Sequence, residues 1–441
     1  MWKGLKIGSL FVLFFTGATS AFTQGLFESS LSGNHEKFVS NSPSLGGFIR
    51  SVAYVGNTPE EEVKYLQGAY GEVSLLMNAK AGAWAAGKAD IRFKYGSEFQ
   101  QSVSEINIRE VYVDLSAGPA GLRAGKLISP WGKGSVFNPS EKITPLDPTV
   151  RSPEEDDMYL GVWAMQGRIN LGPSMQLTGT WKPLYQSSVL LIDPVPMPDY
   201  VMFLDPVTPG VELKEGSYGI NYDLHSRVID ASLYWFDGYH HWPGIAFNSL
   251  EMDSATMEPI ALSIQEHPFR IRMIGLDFSI PIGSWIIRAE GAWQHTILPH
   301  EEEEYLPFPE LSYTTEIERS GSHGTLLAGY YGKYILDYSP PIGEQVGAFN
   351  RLYNYQLEEF YHSVFLVWNG IFLYDRLELT MPAIYNITTK EWIFQPGVSY
   401  APHDGIKISI GFSSLYGPDN SLFDLVGPVL NAGYLSLKLT F

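Results

Sequence analysis

Strict alternation of apolar and polar positions runs along the chain, and it is sharpest at the C-terminus. In Gly433–Phe441, Leu435, Leu437, Leu439 and Phe441 share one face, while Tyr434, Ser436, Lys438 and Thr440 share the other. A period of two places successive side chains on opposite faces of a strand and does not fit a helix. The same pattern recurs upstream. Ala89, Ile91, Phe93 and Tyr95 alternate with Lys88, Asp90, Arg92 and Lys94. Met175, Leu177, Gly179 and Trp181 alternate with Gln176, Thr178, Thr180 and Lys182. Trp285, Ile287, Ala289 and Trp293 alternate with Arg288, Glu290 and Gln294, and Ile406, Ile408, Ile410 and Phe412 with Lys407, Ser409 and Ser413. One face suits lipid and the other water, as in a water-filled transmembrane barrel. The phase slips near Arg109. Ile106 and Ile108 share a phase with Glu110, but Val111, Val113 and Leu115 take the other, which predicts a β-bulge.

Connections alternate between short and long. Short turns are predicted at Asn78–Ala81, Ala117–Gly121, Asn170–Pro173, His225–Ser226, Pro281–Gly283, Asn369–Gly370 and His403–Gly405. Long connections are expected near Trp131–Asp157, Gln186–Glu215, His240–His267, Leu298–Ser322 and Pro418–Asn431. Short periplasmic turns and long extracellular loops produce this asymmetry. A first count gives 17 strands, which would leave the termini on opposite sides of the membrane. Leu336–Gly343 closely repeats the turn-forming Leu276–Gly283, so it should close a further turn, with Glu344–Tyr353 as an upward strand. The expected fold is therefore all-β: a transmembrane antiparallel barrel of about 18 strands, with 16 as the alternative, enclosing an aqueous channel.

Composition removes the competing classes. The chain has 441 residues, 17% charged, with 11 Trp, 26 Tyr, 24 Phe and 43 Gly. It is too apolar and aromatic for a disordered chain. It has no long apolar run for a membrane-spanning helix. With 29 Lys+Arg against 48 Asp+Glu it is a poor nucleic-acid binder. No cysteine is present, so disulfides, thiolate metal sites and a cysteine nucleophile are excluded. Residues 1–21 read as a secretory signal: Lys3 and Lys6, the apolar core Ile7–Phe15, then small residues at Ala18–Ala21. Loss of the two lysines takes the net charge from −19 to −21. Residues 22–43 form a short N-terminal segment, too short for a plug domain, and 44–441 a single barrel. The outer membrane of a Gram-negative bacterium is the expected location.

The stretch from Arg109 to Tyr185 resembles a porin-like outer-membrane family of undetermined function. The matching residues are Arg109-Glu-Val-Tyr-Val-Asp-Leu115, Gly125-Lys126, Trp131-Gly132, Asn138-Pro139, Pro145-Leu-Asp147 and Trp181-Lys-Pro-Leu-Tyr185. Lys126-Leu127 departs from the family's usual Gln or Arg-Gln. The architecture is similar to that of the alginate-export and substrate-specific porins. The resemblance implies a channel, and by analogy a homo-oligomer, without supplying a solute.

Trp131, Lys133, Asp147 and Arg151 belong to the loop after the fifth strand. That loop either folds into the lumen as a constriction or stays extracellular. Arg92, Lys182, Arg270, Arg272, Arg288, Glu290 and Arg376 occupy positions that the alternation turns toward the lumen. There, wall charges would set ion preference. Acids cluster in predicted loops, at Glu60–Glu62, Glu154–Asp157, Glu301–Glu304 and Glu358–Glu359. His295–Glu304 and Tyr239–Trp242 look superficially like metal-binding runs but lack ligand spacing, so no metal and no cofactor is expected. No nucleophile is placed beside His295 or His362, and no enzyme is expected. The leading expectation is a channel for small hydrophilic solutes with a mild anion preference. The alternatives are a fatty-acid-type transporter of hydrophobic compounds and a surface-binding or adhesin barrel. Expected partners are outer-membrane lipid, small solutes and the barrel-assembly machinery, which would read Leu435, Leu437, Leu439 and Phe441. Deleting Phe441 should therefore impair membrane insertion and the heat-modifiable gel shift of the folded barrel. Unchanged assembly would remove Phe441 as a recognition element.

Overall fold

In a computed structural model the chain closes into one antiparallel barrel. The structure describes residues 43–441 except 58–63, 100, 191–194, 196–197, 255–258, 299–302, 341–344 and 420. The proposed signal, nearly all of the N-terminal segment and the acids Glu60–Glu62, Glu301 and Glu302 lie outside the described residues. Eighteen wall strands are seen among the described residues. They are β1 Ser44–Asn57, β2 Lys64–Ala81, β3 Ala85–Glu98, β4 Gln101–Ala117, β5 Ala120–Leu127, β6 Val162–Asn170, β7 Met175–Lys182, β8 Ser217–His225 and β9 Asp230–Tyr239. The wall continues with β10 Arg270–Ile282, β11 Trp285–Thr296, β12 Glu310–Gly321, β13 Gly324–Ile335, β14 Phe360–Phe372 and β15 Leu377–Asn386. It ends with β16, broken into Trp392–Phe394 and Gly397–His403, then β17 Ile406–Tyr416 and β18 Ala432–Thr440. Each strand pairs with its sequence neighbour, and β18 returns to β1 from Phe48↔Thr440 to Gly56↔Ala432.

Closure leaves no wall strand with an unpaired edge, which hydrocarbon would not tolerate. The outer face carries the apolar phase of the alternation. Leu435, Leu437, Leu439 and Phe441 are exposed on it, while Ser436 is buried inside. The bulge also falls as expected. Asp90 pairs with Glu110 and Ile91 with Ile108, so Arg109 is the extra residue, and Ile106, Ile108, Val111, Val113 and Leu115 all face outward. In β16 the ladder lapses at Gln395 and Pro396, opposite Met381 and Pro382. Proline has no amide hydrogen to donate, and each strand brings one proline to this seam, Pro382 opposite Gln395 and Pro396 opposite Met381.

The strand count survives, but by a different route. Gln345–Tyr353 is a helix, α1, not an upward strand. The eighteenth strand comes from within the segment read as one long loop, where Glu310–Gly321 is β12 and turns at Ser322 and His323 into β13. Asn369 and Gly370 lie inside β14, and the chain turns at 373–376 instead. That turn holds Leu373, Tyr374 and Asp375 at φ of 55°, 57° and 65°. Without glycine it carries no turn signature. By contrast, Gly82 and Gly118 mark their turns with φ of 63° and 59°.

Outside the wall, three short strands form a separate sheet. Gly244–Met252 pairs antiparallel with Pro259–His267, which pairs parallel with Val201–Leu204. Helix α1 docks on it: Asn350 accepts from Ile245 N at 2.8 Å and donates to Ile245 O at 2.7 Å. Leu190, Trp242, Ile245, Leu262, Ile264 and Tyr353 give this cap its own core. A second helix, α2 Leu422–Leu430, begins at Ser421, whose Oγ accepts from Asp424 N at 3.2 Å. It packs inward against β17 and joins an apolar cluster with Phe137, Tyr331, Phe365 and Ile393. The last strand offers a direct test of its two faces. Leu437→Arg should cost about 2–4 kcal/mol of refolding stability in lipid vesicles if it lies near the midplane. Lys438→Leu should cost about 1 kcal/mol or less. Equal penalties would reverse the assignment of the faces.

Candidate functional site

The long loop after β5, residues 128–161, packs against the inner face of the wall. Its first anchor is Trp131, buried and stacked on Tyr234 with ring centroids 5.2 Å apart. The indole fits because Gly219 in β8 has no side chain: a Cβ there would lie 2.5 Å from the Trp131 ring. The second anchor is a pair of wall carboxylates. Glu290 accepts the backbone N–H groups of Lys133 (3.0 Å), Gly134 (2.9 Å) and Ser140 (2.7 Å). Glu316 accepts those of Ser135 (2.7 Å) and Val136 (3.4 Å). Within the loop, Glu141 accepts from Trp131, Ile143 and Thr144. Burial, opposed by these bonds, pushes its carboxyl up to about 7. Glu290 is thus a clamp on the loop backbone, and Lys182, donating to Ile143 O at 2.7 Å, is another. Lys133 reaches the same stretch of wall, one and two strands over from Glu290, with Nζ 3.0 Å from both Ser232 Oγ and Asp277 Oδ1.

The loop then descends along β1–β4. Arg151 donates to Gln67 (2.9 Å) and to the last carbonyls of α2, Val429 (2.5 Å) and Leu430 (3.2 Å). A cation at a helix C-terminus is favoured by the helix dipole. Asp147 instead closes a local turn, accepting Thr149 N at 2.9 Å. Beyond it, Asp157 meets three wall arginines. Its carboxylate lies 2.6 Å from Arg50, 2.6 Å from Arg92 and 3.8 Å from Arg109. Burial alone would raise its pKa, but the three guanidiniums outweigh burial and hold it well below the usual carboxylate range. Glu154 takes Lys438 at 2.6 Å and lies 3.6 Å from Arg50.

A cavity of about 1110 Å³ runs between this strap and the wall, from the periplasmic rim at Gly46 and Phe441 up to Tyr54 and Ala432. Seven basic and seven acidic side chains line it, so charge balances within the lining itself. Most are paired: Lys88 with Glu110 at 2.6 Å, Arg123 with Asp114 at 2.7 Å, and Lys407 with Glu378 at 2.8 Å. Arg168, below the strap, shares Asp114 with Arg123.

The predicted residues divide. Arg92 lines the cavity. Arg288 and Glu290 point inward but are buried under the loop, with Arg288 2.9 Å from Glu318. Arg270 and Arg272 do not line the channel. They face outward, sharing Asp237 at 3.0 and 2.8 Å, while Ile271 and Met273 are buried on the inner face. The physical reason is that the inner wall here is dry, because Trp131 and Ile143 pack on it. Arg376 lies in the exposed turn at 373–376. Sequence reasoning missed Arg50, Arg109 and Glu316. Arg50 is hidden because its strand is apolar on both phases, with Phe48, Val52 and Tyr54 inward and Leu45, Ile49 and Val55 outward. Among the metal-like runs, His240 is buried with Nδ1 3.1 Å from Trp242 O, and burial drives its pKa down to about 3.

No protein-family model matches the sequence, and no curated protein matches it. Solved structures match the fold. OccAB3 of Acinetobacter baumannii is 8% identical over 91% of this chain and 99% of that chain, with a TM-score of 0.55. OccK9 (OpdG) of Pseudomonas aeruginosa is 10% identical over 91% and 98%, with a TM-score of 0.54. OccK2 (OpdF) of the same organism, solved in complex with glucuronate, is 11% identical over 91% and 97%, with a TM-score of 0.52. These neighbours are substrate-specific outer-membrane porins. The Trp131 anchor is open to test. Gly219→Val should force the indole out and cost about 1–3 kcal/mol of refolding stability by overpacking. Tryptophan emission should shift to the red. An unshifted spectrum would show that the loop has another main anchor.

Proposed function

We propose that the protein is a channel of a Gram-negative outer membrane that passes small hydrophilic solutes without chemical conversion. The observation that carries this reading is the cavity of about 1110 Å³ between strap and wall, lined by charged side chains inside a closed barrel with an apolar exterior. The C-terminal strand would serve as its assembly signal.

A mild anion preference is supported by one wall. Below the strap, Lys88, Arg123 and Arg168 face only Glu110 and Asp114, which leaves one cation in excess. The bases also reach further into water: 31, 28 and 26% of their side chains are exposed, against 12 and 14% for the acids. A permeating ion senses such groups within a Debye length of about 8 Å at physiological salt, so the chain's overall acidity is a poor guide. Glucuronate, bound by one fold neighbour, is a solute of this kind: small, hydrophilic and anionic.

Single-channel recording in a planar bilayer tests the reading. Discrete conductance with a reversal potential displaced toward chloride under a KCl gradient is expected. Arg168→Gln should move that potential toward cations. Absence of any conductance would return the surface-binding alternative to first place.

A further inference from the structure

We propose that Arg50, Arg92 and Arg109 form a binding site for a small anionic group on a permeating solute, and that the chain's own Asp157 occupies this site in the resting channel. The solute's role rests on the channel reading above; the site itself does not.

Three features carry the inference. The first is convergence. Three guanidiniums from β1, β3 and the bulge of β4 aim at one carboxylate, and Ser152 Oγ adds a donor 2.5 Å from Asp157 Oδ2. Arg109 is available because the bulge makes it the extra residue of its strand. The second is charge. On the wall, Arg50, Arg92, Arg109 and Lys438 face Glu72 and Asp90. That leaves two positive charges in excess, and Glu154 and Asp157 balance them. Lifting the strap would expose an anion site on the wall. The third is attachment. Upstream, the loop is held by buried Trp131, Val136 and Ile143. The short turn Glu155–Met158 adds no side chain to the apolar core and its buried group is the Asp157 carboxylate, so ion pairs rather than core packing hold it down.

Simple lifting of the strap would leave two of the wall's buried positive charges uncompensated, which is costly. Exchange for another anion keeps them paired throughout. The strap would therefore leave with the help of a competing anion rather than alone. Because it borders the cavity, its departure would widen the passage.

The chain has no cysteine, so a single Glu155→Cys substitution can carry a nitroxide at one position. The probe is inorganic phosphate, compared with chloride at fixed ionic strength, on the full chain in phosphatidylcholine vesicles. With Asp157 present, the label should be immobile in chloride, and its mobile fraction should rise severalfold in phosphate. Adding Asp157→Asn should make it mobile in chloride alone and insensitive to phosphate. An immobile label in both salts, or no effect of Asp157→Asn in a barrel that keeps its heat-modifiable shift, overturns the proposal. The spectrum does not depend on current. Phosphate-driven release in a barrel that never conducts would uphold the site and sink the channel reading. Conductance with a label that stays fixed in phosphate would do the reverse.

Discussion

The structure depends on one constraint. Inside a bilayer there is no water to satisfy a backbone N–H or C=O, so every strand must find two neighbours. The pairing of β1 with β18 meets that demand, and much else follows from it. Closure fixes which phase of each strand meets lipid, places both ends of the wall on the same side, and encloses a space too wide for wall side chains to fill. A barrel of this size must be either wet or filled by its own loops. Here it is both. The loop after β5 and helix α2 fill part of the interior with aromatic and aliphatic packing, and the remaining crescent holds the charged cavity.

The inward loop changes what an inward-facing residue does. Where the loop packs, the wall becomes a protein core, and its charges serve as clamps on loop backbone, as Glu290 and Glu316 do. Where it stands off, wall charges face water and solute. Each pairs with a neighbour, so the field in the passage comes from small local imbalances. Net charge therefore says little about this channel, whereas the placement of Arg168 or Asp157 says a good deal.

Much of the barrel was legible because a period of two needs only local sequence, and turn glycines announce themselves. The last strand, the bulge at Arg109 and most short turns are of this kind. The failures have a common cause. Alternation turns Arg270 and Arg272 inward only if charge marks the wet face, yet the inner face at Ile271 and Met273 is dry where the loop covers it. Alternation cannot reveal that a distant loop lies on a strand. Arg50 escaped for the same reason, sitting in a strand with apolar residues on both faces. The turn at 373–376 uses left-handed residues without glycine. Parity demands one more crossing, and the chain makes it at Glu310–Gly321 inside a loop-like stretch, leaving Gln345–Tyr353 free to form helix α1.

The lapse in β16 has a bearing on how the wall is hydrated. Between Met381-Pro382 and Gln395-Pro396, the one protein bond across the seam is Gln395 N–H to Pro382 O, at 3.2 Å. In a lipid-facing wall such a gap would leave carbonyl oxygens dry. Yet Thr380, Pro382, Gln395 and Gly397 all border the cavity, so water can reach these oxygens from the lumen side. The prolines are tolerable because the passage is wet there. The seam should then be the line along which backbone amides exchange hydrogen first, with solvent entering from within the barrel rather than through the bilayer.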